Sequence, residues 1–289
     1  MPPVRRRRYT FVRYVILLHI IARVDEYDAL KSVLLGYGIQ PADREILRRK
    51  GHLRVPIEKT DPRLEQIVAD LRKIDVDPGR MYAPAFDPWE LEQAELVRMR
   101  VEGFCGDAFG WWVQRLGLPP GSRVMDKREM GKQDIAKTYA HNEFVISERV
   151  REMLEMERFT GWVAEPIQHR DPKRDRFPPL YLFTSSHELP PLAPETELEL
   201  RTYDNPNDPL DGVHGMVRLY GTTALFERGP LTYRRKALIQ VADVNRTHEI
   251  FLEVTVAHPY FVMSQRVRQA FLRHRVHGDV SWEPVAMLE

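Results

Sequence analysis

The period of the apolar positions changes several times along the first third of the chain. From Phe11 to Val24, β-branched and aromatic residues follow one another closely, which predicts a buried strand. Tyr27, Leu30, Val33 and Leu34 then recur at helical spacing within Glu26–Leu35, and Gly36 and Gly38 stop that helix. Leu53–Ile57 reads as a second, short strand. Asp61-Pro62 opens a helix to about Ile74 whose inner face is Leu64, Ile67, Val68 and Leu71. These elements predict a small αβ module over residues 1–75. The prolines and glycine of 76–88 predict a linker, and a helix is expected over Trp89–Val101.

Beyond residue 100 the pattern predicts a mixed α+β region spanning 89–289. Trp111, Trp112, Val113 and Leu116 form a helical stripe ending at Gly117. Strands are expected at Leu180–Phe183, Glu197–Tyr203, Val217–Tyr220, Leu238–Val241 and Ile250–Val256, separated by Gly-, Asn- and Asp-containing turns. The fold class is therefore α+β.

Two segments share one pattern. Phe144–Val163 matches Phe261–Val280 at a constant displacement of 117 residues (261 − 144), with nine identical positions. Among these are Ser147/Ser264, Arg149/Arg266, Val150/Val267, Arg151/Arg268, Arg158/Arg275 and Gly161/Gly278. Chance pairing gives about one identity over such a span, so the match signals duplication. A further one-residue shift aligns Glu165-Pro166 with Glu283-Pro284. Each copy, 142–167 and 259–285, reads as strand, helix, strand. The serine is expected to cap the helix, the glycine to close it in the left-handed conformation, and Val150, Met153 and Leu154, or Val267, Ala270 and Phe271, to face inward.

The runs Phe144–Val150 and Phe261–Val267 resemble two families of bacterial immunity proteins. One is the myxobacterial double-CXXCG motif family; the other is the DUF1629-type immunity family, with a similar strand–helix–Gly–strand unit. The likeness spans roughly residues 100–289. No CXXCG is present, and only Cys105-Gly106 stands ahead of the first copy, so a zinc site is not carried over. The resemblance implies a protein that neutralises a cognate toxin by binding and occluding it, and it assigns no catalytic residue.

Composition narrows the alternatives. Forty-three Lys and Arg nearly cancel forty-two Asp and Glu, which removes the global positive field of a nucleic-acid binder. One cysteine excludes an intrachain disulfide and a cysteine-rich metal cage, and fits a reducing, cytoplasmic setting. Arg5–Arg8 ahead of an apolar run has the look of a signal peptide. Arg13, His19 and the poor cleavage site at Ala22–Asp25 favour a strand with a basic leader, and no membrane span is expected.

No cofactor, metal ligand set or catalytic residue is assigned from sequence. The partner expected is a protein toxin. Arg149, Arg151, Arg266 and Arg268 are candidates to grip an acidic partner, with solvation or internal ion pairing as their ordinary role. Asp204, Asp208 and Asp211 form an acidic loop suited to covering a basic toxin surface; it lacks the ligand pattern of a calcium loop. His274 and His277 lie one turn apart near Asp279, a pattern metal sites use but one also met at helix C-termini. The alternative to binding is an enzyme with an acid–base set at Asp243, His248 and Glu249.

Overall fold

The computed structural model describes residues 13–22, 27–39, 51–58, 61–76, 79–106, 113, 116–119, 122–138, 143–171, 173, 175–202, 223–227, 229–253 and 256–289. The expected elements at 217–220, the tryptophans 111 and 112, and the 5–8 leader lie outside these residues. The chain divides into two units, one over 11–86 and one from residue 87 onward.

The first unit is built from β1 (Arg13–Ala22), α1 (Tyr27–Gly36), β2 (Gly51–Glu58), α2 (Leu64–Arg72) and β3 (Gly79–Ala85). Its sheet runs β2-β1-β3, and β1 is antiparallel to both neighbours, so β2 and β3 are parallel with β1 between them. Leu30, Leu34, Ile57, Leu64, Ile67, Val68, Leu71 and Val76 form its core, as the helical spacing predicts. The expected linker at 76–88 differs. Its middle is β3, in register with β1 from Arg13↔Ala85 to His19↔Gly79. Prolines at a sheet margin cost no ladder bond when their nitrogen faces away from the neighbour, which is how a proline-rich segment can pair.

In the second unit, α3 (Pro88–Gln93) is short and β4 (Leu96–Val101) follows it, where one helix over 89–101 was expected. The physical reason is the period. Val97, Met99 and Val101 join one core while Leu96 joins another, an alternation of two faces that a helix cannot produce. Next come β5 (Val124–Met125), a 3-10 turn over Lys127–Met130, β6 (Ile135–Lys137), β7 (Phe144–Ser147), α4 (Glu148–Met156), β8 (Trp162–His169) and β9 (Leu180–Ser185). After β10 (Leu198–Thr202) and β11 (Thr223–Glu227) the chain forms β12 (Thr232–Arg234), β13 (Val244–Arg246), β14 (Phe251–Glu253) and β15 (Val256–His258). It ends with β16 (Phe261–Ser264), α5 (Gln265–Arg273), β17 (Val280–Pro284) and β18 (Ala286–Leu288). The segment 238–241, expected as a strand, is a turn that leaves Ile239 86% exposed. No helix among the described residues is long and apolar enough to cross a membrane.

The two repeat copies occupy equivalent places. In one sheet, β5-β8-β9-β7-β6, strands β7 and β8 flank β9; in another, β13-β16-β4-β17, strands β16 and β17 flank β4. The registers agree residue by residue. Phe144 faces Phe183 and Phe261 faces Met99, while Glu165-Pro166 face Leu182-Tyr181 and Glu283-Pro284 face Arg98-Val97. The one-residue shift is therefore a real insertion near the start of β17. The third strand comes from opposite directions in the chain: β9 follows its copy, whereas β4 lies far upstream of its own.

The halves interlock. Beyond β4, Phe104 bridges Lys137 of β6, and beyond β9, Glu188 bridges Arg246 of β13. Each central strand thus runs on to pair with the other half's edge strand. The copies share one core, in which Val150, Met153 and Leu154 of α4 meet Val267, Ala270 and Phe271 of α5. The equivalent rings of Phe144 and Phe261 touch at 4.9 Å between centroids. Val145, Leu180 and Leu182 fill a second core on the other face of the first sheet, and Leu96 and Val262 a third behind the second. Burial on both faces explains why β7, β9 and β16 are apolar runs rather than alternations.

The helix ends correct one expectation. The left-handed residue after each helix is Arg158 (φ 54°) or Arg275 (φ 48°), not the glycine. Phe159 N–H reaches Leu154 O and Arg158 N–H reaches Glu155 O; Val276 to Phe271 and Arg275 to Leu272 repeat the pattern. These are paired backbone bonds that favour glycine at the central site. A β-carbon there costs about 1–2 kcal/mol, partly offset by the smaller unfolded-state entropy of a non-glycine residue. Arg275→Gly should raise stability by about 0.5–1 kcal/mol, read as a higher denaturation midpoint at unchanged m-value.

Candidate functional site

Two carboxylates fasten the halves to each other in the same way. Asp134, just before β6, accepts Ser147 Oγ–H at 2.9 Å and Arg149 Nε–H at 3.1 Å on Oδ1. Its Oδ2 accepts the backbone N–H of His277, from the loop after α5, at 2.7 Å, and also an Arg149 Nη2–H. Asp243, just before β13, accepts Ser264 Oγ–H at 2.8 Å and Arg266 Nη1–H at 3.4 Å. It also accepts the N–H of Thr160 at 3.1 Å, from the loop after α4. Thr160 and His277 are equivalent, being 117 residues apart. Each clasp therefore joins the serine and arginine of one copy to the helix-end loop of the other.

The surroundings of Asp134 support a charged clasp. Burial alone would raise the Asp134 carboxyl, but the Arg149 guanidinium, the His277 N–H and Ser147 outweigh it and hold its pKa below the ordinary range. Arg149 also donates to the carbonyls of His274 (2.9 Å) and Arg275 (3.1 Å), covering the C-terminal end of α5. Ser147 Oγ caps its helix by accepting Val150 N–H, whereas Ser264 makes no side-chain cap bond. Its hydroxyl is committed to Asp243.

The arginine candidates all have carboxylate partners within the chain. Arg151 is held by Glu148 and Glu155, Arg266 by Asp243, and Arg268, 7% exposed, by Glu92 at 2.7 Å. Asp204, Asp208 and Asp211 lie outside the described residues. Asp243, His248 and Glu249 have separate partners: Asp243 belongs to its clasp, His248 Nδ1 meets Glu188 at 2.8 Å, and Glu249 Oε1 accepts Leu192 N–H at 2.7 Å. His274 Nε2 contacts Glu157 at 3.1 Å, and among the described residues no group of three His, Cys, Asp or Glu is placed to hold a metal. Cys105 is fully buried, and that burial, together with Glu129, pushes its thiol up to about 12, a setting for an inert thiol.

A second polar cluster went unseen in the sequence. Arg98 of β4, 2% exposed, reaches Glu227 at 2.7 Å and Glu283 at 3.3 Å, and its guanidinium lies 3.4 Å from the centre of the Tyr260 ring. Tyr260 Oη–H donates to Glu227 at 2.5 Å, and Arg100 pairs with Glu283 at 2.9 Å. Beside this network is a small groove with a cavity of about 20 Å³, lined in part by Arg98, Arg100, Lys137, His258, Phe144 and Phe261. The residues come from β4, β6, β7, β15 and β16, so only the closed pair of halves assembles it.

Glu143 is a further carboxylate largely shielded from solvent. Burial, aided by the Glu165 charge, outweighs the Arg123 guanidinium and pushes its pKa up to about 7. A carboxyl with a raised folded-state pKa favours the folded state while protonated. Stability should fall as pH rises from the ordinary value near 4.5 through 7, and then level off. Glu143→Gln should remove most of that fall, on the order of 1–3 kcal/mol, in denaturation series at pH 5 and pH 8.

In comparisons with known proteins, no family model matches the chain, and neither a curated protein nor a solved structure does.

Proposed function

We propose that this chain is an immunity protein that neutralises a cognate bacterial toxin by direct binding and occlusion of its active surface. The reading starts from the resemblance carried by Phe144–Val150 and Phe261–Val267, which together form the heart of one interlocked scaffold. With the repeat arginines committed internally, the contact surface is assigned elsewhere. The observation that carries it is the outer face where α4 and α5 end. Met156 is 68% exposed and Leu272 55%, and the residues directly after them, Glu157 and Arg273, pair at 2.5 Å. That ion pair ties the ends of the two helices together, and each end carries an exposed apolar side chain, a composition suited to a partner interface.

The test is affinity capture from the native host, with growth rescue against the toxin-like protein recovered. Met156→Asp and Leu272→Asp should abolish capture and rescue while leaving the denaturation midpoint within about 0.5 kcal/mol of wild type. Retained rescue by the double variant would reject this surface. Absence of any toxin-like partner, with a turnover reaction lost in Asp243→Asn or His248→Ala, would replace binding by the enzyme reading.

A further inference from the structure

We propose that Arg158 and Arg275, the left-handed residues that follow α4 and α5, are the anchors by which the outer face grips an acidic patch on its protein partner. The inference deepens the binding reading and rests on the surface assigned to it. Three arginine pairs recur at the 117-residue displacement, and the fold treats them differently. Arg149 and Arg266 are held by Asp134 and Asp243, and Arg151 and Arg268 by Glu148 and Glu92. Beyond these four committed arginines stands the third pair. Arg158 and Arg275 are exposed, and neither side chain has a hydrogen-bond or carboxylate partner among the described residues. Both hold a positive φ, 54° and 48°, where a β-carbon is disfavoured and glycine is at home. Backbone strain kept in both copies, under a side chain with no internal task, points to a task outside the chain.

The two turns are joined to each other. Glu157, directly before Arg158, pairs with Arg273 and contacts His274, the two residues before Arg275. Arg149 donates to the carbonyl of Arg275 itself. The exposed Met156 and Leu272 stand just ahead of these arginines in their own helices. Free guanidinium groups next to apolar side chains call for carboxylates next to an apolar contact, and arginine's planar fork binds a carboxylate through two parallel hydrogen bonds. A nucleic acid suits the face less well. The end of α4 adds the exposed carboxylates Glu152 and Glu155, and the chain as a whole carries a formal charge of only +1.

The probe is a short synthetic peptide of glutamate and leucine, titrated into the full-length protein at low salt by calorimetry and amide chemical shifts. A lysine and leucine peptide of the same spacing and a single-stranded DNA of similar length are run in parallel. The glutamate peptide should bind with Kd on the order of 1 mM, since each exposed ion pair contributes little, and its shifts should centre on the turns after α4 and α5. Arg158→Gly combined with Arg275→Gly should weaken it about fivefold or more while raising the denaturation midpoint, because the strain leaves with the side chains. Weaker binding joined to higher stability is a result that a merely structural arginine does not give. Four outcomes overturn the proposal: no saturable binding of the glutamate peptide, equal binding of the lysine peptide, DNA binding as tight, or unchanged affinity in the double glycine variant. No toxin enters the titration, so failure of the immunity reading, seen in capture and rescue, is distinguishable from failure of this one.

Discussion

Alanine at Gly161 is expected to destabilise the second unit by on the order of 3–5 kcal/mol, or to prevent its folding. A β-carbon there would overlap the backbone carbonyl of Val244 and the side chain of Ala242, and the backbone is already in the left-handed region at φ 82°. The obstruction is backbone in the edge strand of the other half, so no side-chain rotation relieves it. Gly278→Ala should behave likewise, because its β-carbon would sit 2.6 Å from Ile135 O. Gly117→Ala is the control: it has a similar positive φ of 60° with nothing within 4 Å, so only the conformational cost of about 1–2 kcal/mol applies. Equal losses at Gly117 and Gly161, measured by urea denaturation, would show that close approach of the halves is not what the glycine serves.

The second large effect concerns Arg98. Arg98→Ala should cost about 3–5 kcal/mol, because it leaves Glu227 buried without its cation, takes from Glu283 one of its two (Arg100 remains), and strips the Tyr260 ring of its guanidinium. Burial alone would raise the Glu227 carboxyl; Arg98 and the Tyr260 hydroxyl overcome this and hold it low. The loss should therefore be strongly non-additive. Arg98→Met combined with Glu227→Gln and Glu283→Gln should recover a large part of the stability lost in Arg98→Met alone. Additive losses across that set would mean the charges are solvated rather than coupled.

Much of the architecture was legible because it is local. The 117-residue displacement located both strand–helix–strand copies, and the later one-residue shift anticipated the pairing of Glu165 and Glu283 with equivalent partners. The first unit's core followed from helical spacing. What escaped was non-local. The strand completing the second copy is β4, upstream of everything it pairs with, and its alternation of Val97, Met99 and Val101 with Arg98 and Arg100 is a strand period that the helix expected over 89–101 passes over.

The clasp carboxylates escaped for a related reason. Asp134 and Asp243 are 109 residues apart, so a search at one fixed displacement passes over them, although their partners Ser147/Ser264 and Arg149/Arg266 were identical and visible. A serine and arginine spaced alike in both copies is the signal that points to a shared acceptor. Arg98, Glu227, Tyr260 and Glu283 carry no such signal, since their proximity exists only after the sheets have formed.

Native-state hydrogen exchange, resolved over 144–156 and 261–273, tests most directly whether the two copies fold as one interlocked body. Both segments should open with the same free energy, and Asp134→Ala, which breaks a single clasp, should lower protection in both by the same amount. Protection lost in only one copy, with the other unchanged, would show two separately folding repeats and contradict the account.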